Sequence, residues 1–278
     1  MEKLSGKTVI VTGSSSGLGR ELAYMLLKEG AQVMINGRNP EKLMETRQHL
    51  ASGGGRVLAF SGDDTQPEDC RNMVEKCIRE FGGIDILINN VGTGSNGLFR
   101  DTVPDAVNKV LATNIFGTVY PTYYALPYLL ESRGSIFFIS SLAGIHGLPF
   151  SFSYSMSKMA LTSLTQSLRI ELAGTGVHTG IIYVGFLHNG PGKRVVSGDG
   201  SLVPATGRPK RFTMSMGTAG KYIIRAIQKR KTVTVLTFFG KFLYHANRVS
   251  PLFVRKVLTL SKTRMKLCYT PAFKRSDQ

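Results

Sequence analysis

Short apolar runs alternate with longer amphipathic stretches along this chain. TVIVTG (8–13), QVMING (32–37), RVLAFSGD (56–63), IDILINNVG (84–92), GSIFFISS (134–141), VHTGIIYVG (177–185) and TVTVL (232–236) predict strands. Several are apolar at consecutive positions, the pattern of strands covered on both faces. Amphipathic stretches at 17–29, 40–50, 67–81, 104–130, 153–173 and 215–229 predict helices between them. Pro67, followed by Glu68 and Asp69, suits a helix's first turn, where proline loses no hydrogen bond and acids meet the positive end of the dipole. Strands that alternate with helices pair through right-handed crossovers. The pattern therefore predicts an α/β domain with a doubly wound parallel sheet of seven strands and helices on both faces.

Two stretches leave this alternation. Residues 186–213 are rich in Gly, Pro and Ser and hold several basic residues. In such a sheet, ligands bind beyond the carboxyl ends of the strands, so this loop is expected to cover the crevice as a lid. After Leu236 the sheet pattern ends. Ser250-Pro251 reads as an N-cap and a first helical position. Beyond it, Arg255, Lys256, Thr259 and Lys262 lie toward one side, and Leu252, Phe253, Val257 and Leu260 toward another. The expected organisation is a catalytic unit over 1–236 and a basic, amphipathic helical extension over 237–278.

Charge sharpens that division. Residues 201–278 hold 17 of the chain's 35 Lys and Arg but, of its 18 acids, only Asp277, so +16 of the net +17 lies in the last quarter. Aromatics interleaved with cations predict an anionic partner surface, whether a membrane, a nucleic acid or an acidic protein, and the extension is expected either to rest on a membrane or to wall the substrate pocket. No run approaches the length of a membrane span. Met1 lies a few residues before the first strand, so no secretory leader is expected. Cys70, Cys77 and Cys268 have no ligand spacing and read as reduced thiols, which predicts a cytoplasmic protein, peripheral at most to a membrane. No metal site is expected.

Candidate chemistry begins where the first strand turns into a helix, in TGSSSGLGRELA. Gly13, Gly17 and Gly19 let backbone N–H groups approach a pyrophosphate at a helix N-terminus, and Ser15, Ser16 and Leu18 complete the loop. The second strand ends in Asn36-Gly37-Arg38-Asn39, with no acid to bind free ribose hydroxyls. Arg38 instead offers a guanidinium for a 2′-phosphate, which predicts NADP(H). YSMSK puts Tyr154 and Lys158 four apart on one helical face, just after a strand ending in Ser140-Ser141. A phenol titrates near pH ~10, and a nearby ammonium lowers that, which suits a proton donor to a nascent alkoxide. A serine hydroxyl can hold the same oxygen.

With its TGxxxGxG spacing, NNVG, LATNIFG and YSMSK, the chain resembles the short-chain dehydrogenase/reductase family over about residues 5–235. The resemblance implies a Rossmann-type sheet and a tetrad of Asn114, Ser141, Tyr154 and Lys158. Tyr154 is then the general acid/base, and Lys158 binds the nicotinamide ribose and tunes Tyr154. Ser141, thirteen residues before the tyrosine, orients the substrate in preference to Ser140, and Asn114 holds a proton-relaying water. Asp63, with Asp64 beside it, matches the adenine contact, and Asn90, Val91 and Gly92 flank the adenosine ribose. The family's PGxxxT reads VGFLHN here. Gly185 remains, Val184 replaces proline, and Asn189 is left to meet the carboxamide. His146 and His188 read as polar loop residues.

The reading that follows is an NADP(H)-dependent oxidoreductase that interconverts a ketone and a secondary alcohol on a lipophilic substrate, such as a steroid or ketosphingoid. A 3-oxoacyl thioester reductase docking an acidic carrier is the alternative, and a non-catalytic nucleotide or nucleic-acid binder a remote one. No nucleic-acid module is present, so no nucleic-acid partner is expected. The resemblance also implies a homodimer or homotetramer through the helices at 104–130 and 153–173.

Overall fold

A computed structural model describes residues 2–188, 192–205 and 213–263. Seven strands form one parallel sheet: β1 (Thr8–Val11), β2 (Gln32–Gly37), β3 (Val57–Ser61), β4 (Ile86–Asn89), β6 (Ser135–Ser141), β7 (His178–Val184) and β10 (Val233–Val235). Their spatial order is β10-β7-β6-β4-β1-β2-β3. The order reverses beside β1, so a crevice opens there at the carboxyl ends of β1 and β4.

Alternation along each strand divides the core in two. Val9, Val11, Val33, Ile35, Ile88, Phe137, Ile139 and Ile182 face α1 (Gly17–Lys28), α2 (Pro40–Ala51) and α7 (Met216–Gln228). Ile10, Met34, Leu87, Ile136, Phe138, Ile181 and Tyr183 face the opposite layer, which holds α3 (Pro67–Phe81), α5 (Gly117–Ser132) and α6 (Phe152–Glu171). Phe137 and Phe138 are neighbours in sequence, yet each is wholly buried in a different cluster. Burial of such a ring contributes roughly 2–3 kcal/mol. The boundaries of α3 show the local logic. Pro67 opens it, Glu68 and Asp69 lie in its first turn, and Gly82, at φ 86°, closes it in the left-handed region.

The structure corrects the single helix expected over 104–130. That span is α4 (Pro104–Leu111), one π-helical turn at Ala112–Phe116, and then α5. The wider turn swings Asn114 inward, where it is completely buried. The loop after β7 also has structure of its own. β8 (Arg194–Ser197) pairs with β9 (Leu202–Pro204) and, in parallel, with the two-residue β5 (Ser95–Asn96). Of the loop's described residues, Gly192, Lys193, Arg194, Val195 and Ala205 line the crevice.

Beyond β10, α8 (Phe238–Val249) and α9 (Pro251–Leu260) form a helical pair. Thr237 caps α8 and Ser250 caps α9, with Pro251 at the first position. Leu243 and Val254 insert into the core beside α6 and β7. Leu252, Phe253, Val257 and Leu260 remain exposed. Among the described residues, no helix is long and apolar enough to cross a membrane.

Candidate functional site

A cleft of about 570 Å³ runs along the carboxyl edge of the sheet. It gathers Gly13, Ser15, Ser16, Gly17, Leu18, Gly19, Arg38, Asp63, Asp64, Asn90, Val91, Gly92, Ser141, Tyr154, Lys158 and Gly185, residues spread over most of the chain. Asn114 lies behind its wall, and Asn189 lies outside the described residues.

The glycine loop forms one end. Gly13 has φ 59°, and a Cβ there would come 2.9 Å from the Val91 backbone. At Gly19 a Cβ would meet the Asn90 amide at 2.5 Å and the Gly13 carbonyl at 2.6 Å. Both contacts are too short for any side chain, so this packing requires glycine. Asn90 proves to be a brace: its Nδ2 donates to the carbonyls of Thr12 (2.9 Å) and Gly13 (3.1 Å). The first turn of α1 has no acid, and Ser16 caps it without a side-chain hydrogen bond. Its free N–H groups and dipole therefore favour an anion.

Asn36, which the strand pattern gave no reason to single out, ties this loop to the next. Its Oδ1 accepts from Gly13 N–H at 2.7 Å, and its Nδ2 donates to Asp64 at 2.9 Å. Burial pushes the Asp64 carboxyl up to about 7, against the lowering effect of that Asn36 bond. Beside it, Asp63 accepts from Thr65 N–H and Oγ1, and its other oxygen lies 3.6 Å from the Arg38 guanidinium. Arg38 is largely exposed, and Lys42 lines the same end of the cleft.

At the other end, Tyr154 and Lys158 lie on α6, with the ammonium 5.9 Å from the phenol ring centroid. Lys158 Nζ donates to the Ile139 carbonyl at 3.0 Å. Burial alone lowers its pKa to about 8. The start of α6 is fixed from β5: Ser95 Oγ accepts from Tyr154 N–H (3.2 Å) and from Ser153 Oγ (2.9 Å). Ser151 Oγ donates to the Ser95 carbonyl. Ser95 was invisible to sequence reasoning, because its strand is two residues long and its partners are more than fifty residues away.

Ser140 and Ser141 both line the cleft but differ in burial and bonding. Ser140 is buried and its hydroxyl donates to the Lys158 carbonyl at 3.2 Å. Ser141 is partly exposed in the cleft, and its hydroxyl accepts a long bond from Ala143 N–H. Behind them, Asn114 Nδ2 donates to Ser157 Oγ (2.8 Å) and to the Thr93 carbonyl (3.0 Å). Its Oδ1 accepts from Thr93 N–H at 2.7 Å. A Cβ on Gly92 would lie 3.2 Å from Asn114 Oδ1 and 3.3 Å from Lys158 Nζ, so this backbone runs directly past both. Of the two histidines, His146 bonds Asn247 of α8 at 2.8 Å, and His188 N–H donates to the Met214 carbonyl.

The sequence profile of the short chain dehydrogenase family matches residues 7–196. The chain belongs to this family. Its members use nicotinamide cofactors. Among similar short-chain dehydrogenases, 11-beta-hydroxysteroid dehydrogenase-like 2 of Arabidopsis thaliana is 38% identical over 62% of this chain and 56% of its own length. 11-beta-hydroxysteroid dehydrogenase 1A of the same plant is 37% identical over 73% of this chain and 58% of its own. The chain thus matches little more than half the length of these relatives. A crystal structure described as a short-chain alcohol dehydrogenase from Sinorhizobium meliloti 1021 superposes with a TM-score of 0.64. It is 29% identical and covers 66% of this chain and 74% of that one. The match to the family ends before α8 and α9 begin.

The residues present fit a dinucleotide. The glycine loop and the acid-free first turn of α1 suit a pyrophosphate, and the cleft adds the cations Arg38, Lys42, Lys193 and Arg194. Arg38 and Asn39, neither of them an acid, follow β2, and Asp63 and Asp64, which follow β3, each bond to neighbours.

Proposed function

We propose that this protein is an NADP(H)-dependent oxidoreductase that interconverts a ketone and a secondary alcohol on a lipophilic substrate. One observation carries the reading: Ser141, Tyr154 and Lys158 meet in a single cleft with the glycine loop. A nicotinamide bound there supplies or accepts the hydride. Tyr154 gives its phenolic proton to the forming alkoxide, or takes one in the reverse direction. Lys158, held against Ile139 and Gly92, keeps a positive charge beside the phenol and so favours phenolate. Ser141 donates to the substrate oxygen, while Ser140 is committed to the backbone of α6. Asn114 fixes Thr93 and Ser157 and so sets the floor beneath Lys158; a water held there would pass protons outward.

The preference for the 2′-phosphate rests on Arg38 and Lys42 at the end of β2 and the start of α2. Arg38→Asp should cut the NADPH-over-NADH preference by roughly 10- to 100-fold. An unchanged ratio would mean that the phosphate is held elsewhere. The lipophilic substrate follows from Leu148, Val184, Phe186, Leu187, Val195 and Met216 lining the cleft, together with the steroid dehydrogenase names of the relatives. Exposed Tyr123 on α5 and Met159 and Ile170 on α6 support a homo-oligomer built on those faces.

The test is a turnover screen of the purified chain with NADPH and NADH against lipid ketones, their alcohols and a 3-oxoacyl thioester. Products are identified by mass spectrometry. Reduction of lipid ketones in preference to the thioester is expected. Turnover confined to the thioester would overturn the substrate class, and none with any carbonyl or alcohol would overturn the activity.

A further inference from the structure

The helical pair is amphipathic in the reverse of the usual sense. On α8 the inward side holds Gly240 and Leu243, with Tyr244 and Asn247 at its margins. The outward side presents Phe238, Phe242 and Val249, which share one stripe at helical spacing. Phe238 is 90% exposed and Val249 87%. Lys241 and Arg248 run along one edge of the stripe, the exposed Phe239 lies beyond the other, and His245 lies within it. On α9 the inward side is Val254 and Leu258, while Phe253, Val257 and Leu260 face out, with Leu252 and Lys256 beside them. Leu260 is 77% exposed. From Phe238 to Lys262 the chain has Lys241, Arg248, Arg255, Lys256 and Lys262, and no acid.

The position of the pair matters as much as its composition. Thr237, which caps α8, packs so closely on Gly185 that a Cβ there would lie 2.6 Å from its Cγ2. Gly240 sits against Leu142, where a Cβ would meet the Leu142 side chain at 2.7 Å. Asn247 bonds His146 at 2.8 Å and donates to the Ile145 carbonyl at 3.0 Å. The segment from Leu142 to Gly147 joins two cleft residues, Ser141 and Leu148. Among the described residues, this loop lies between α8 and the Ser141 end of the cleft.

We propose that the outward face of α8 and α9 docks on the surface of an anionic lipid bilayer and holds the Ser141 end of the cleft beside it. For its purpose, a substrate dissolved in lipid, this rests on the reading above; for its geometry it rests on the helices alone. An outward apolar stripe edged by cations suits the boundary between headgroups and acyl chains, where rings and aliphatic groups enter and ammonium groups stay with lipid phosphates. A second copy of the chain fits the face badly. A two-fold contact would set these cations against their own copies with no acid between them. A polyphosphate groove would use the cations but leave Val249 and Leu260 without a role.

The full chain is tested by flotation with phosphatidylcholine vesicles, with and without phosphatidylserine, in low and high salt. Binding should need phosphatidylserine and weaken in high salt. Lys241→Glu/Arg255→Glu/Lys256→Glu should weaken it at least roughly 100-fold, since each cation contributes about fivefold near an anionic surface. Phe242→Ser/Phe253→Ser should weaken it roughly tenfold. Both variants alter exposed positions and should melt with the parent. They should also keep the parent KM for a water-soluble ketone while raising it for a ketone presented in vesicles.

Equal binding to both vesicle types, or parent-like binding by either variant, overturns the proposal. So does tighter binding to a nucleic-acid duplex than to the vesicles, or a sedimenting dimer that the Phe242→Ser/Phe253→Ser variant dissolves. The water-soluble ketone separates the two readings. Docking without turnover of any ketone overturns the activity alone, and turnover without docking overturns the surface alone.

Discussion

The floor of the cleft and the outer face of the helical pair invert each other. Under Tyr154, polar groups are sealed inside: Asn114, Ser157 and Lys158 are buried, and each has a hydrogen-bond partner. On α8 and α9, apolar groups are left outside: Phe238, Val249, Leu252 and Leu260 are exposed in a chain that has ample core elsewhere. Burying a polar network costs desolvation, and the return is fixed charge and geometry in a low-dielectric site. Leaving apolar groups in water costs little to folding by itself, and a patch of them suits an external apolar surface. On the proposed reading the first region serves chemistry and the second serves contact, so substitutions should separate the two.

The largest effect belongs to the first region. Tyr154→Phe should lower turnover by about 1,000-fold or more, with the melting temperature and cofactor affinity nearly unchanged. Residual turnover near the parent rate would remove Tyr154 from the proton-transfer role. Asn114→Ala should lower unfolding stability by roughly 3 kcal/mol, because Thr93 N–H, the Thr93 carbonyl and Ser157 lose a buried partner together. A loss below 1 kcal/mol in denaturant titration would show that the π turn holds without its side-chain bonds.

Lys158→Met should stabilise the fold at neutral pH by roughly 2–3 kcal/mol while abolishing turnover, since burial moves the ammonium from 10.5 to about 8. The sign follows from proton binding. Between about pH 8 and 10.5 the folded chain holds fewer protons at Lys158 than the unfolded chain, so this residue makes stability rise with pH across that window. The methionine variant should lack this rise in chemical denaturation over the same range, and an identical pH profile would contradict it. The smallest effect belongs to the outer face, where Phe242→Ser should change stability by no more than about 0.5 kcal/mol. A larger loss would mean that the ring supports the fold and that the two regions are less separate than their burial indicates.

Much of the fold is legible in the sequence because its signals are local. Consecutive apolar residues mark several of the parallel strands, and Pro67 and Ser250-Pro251 mark helix starts that the structure places at those positions. The features that escape have distant causes. The π turn at Ala112–Phe116 has no signal of its own; the residues that engage its buried side chain, Thr93 and Ser157, lie in other parts of the chain. Asn36 looks like any strand residue until Gly13 and Asp64 fold against it. β5 exists only because β8, about a hundred residues later, pairs with it.

The order of residues alone determined the alternating α/β plan, the glycine loop opening a helix, the shared face of Tyr154 and Lys158, and the concentration of charge beyond residue 200. Spacing and composition are properties of the chain and survive unfolding. Tertiary structure decided that the Ser140 hydroxyl is committed to the Lys158 carbonyl, that Asn90 braces the glycine loop, and that His146 latches α8. It also decided that the apolar side of the last helices points away from the protein. Each of these depends on which groups lie within a few ångströms across long stretches of chain, and only packing sets that distance.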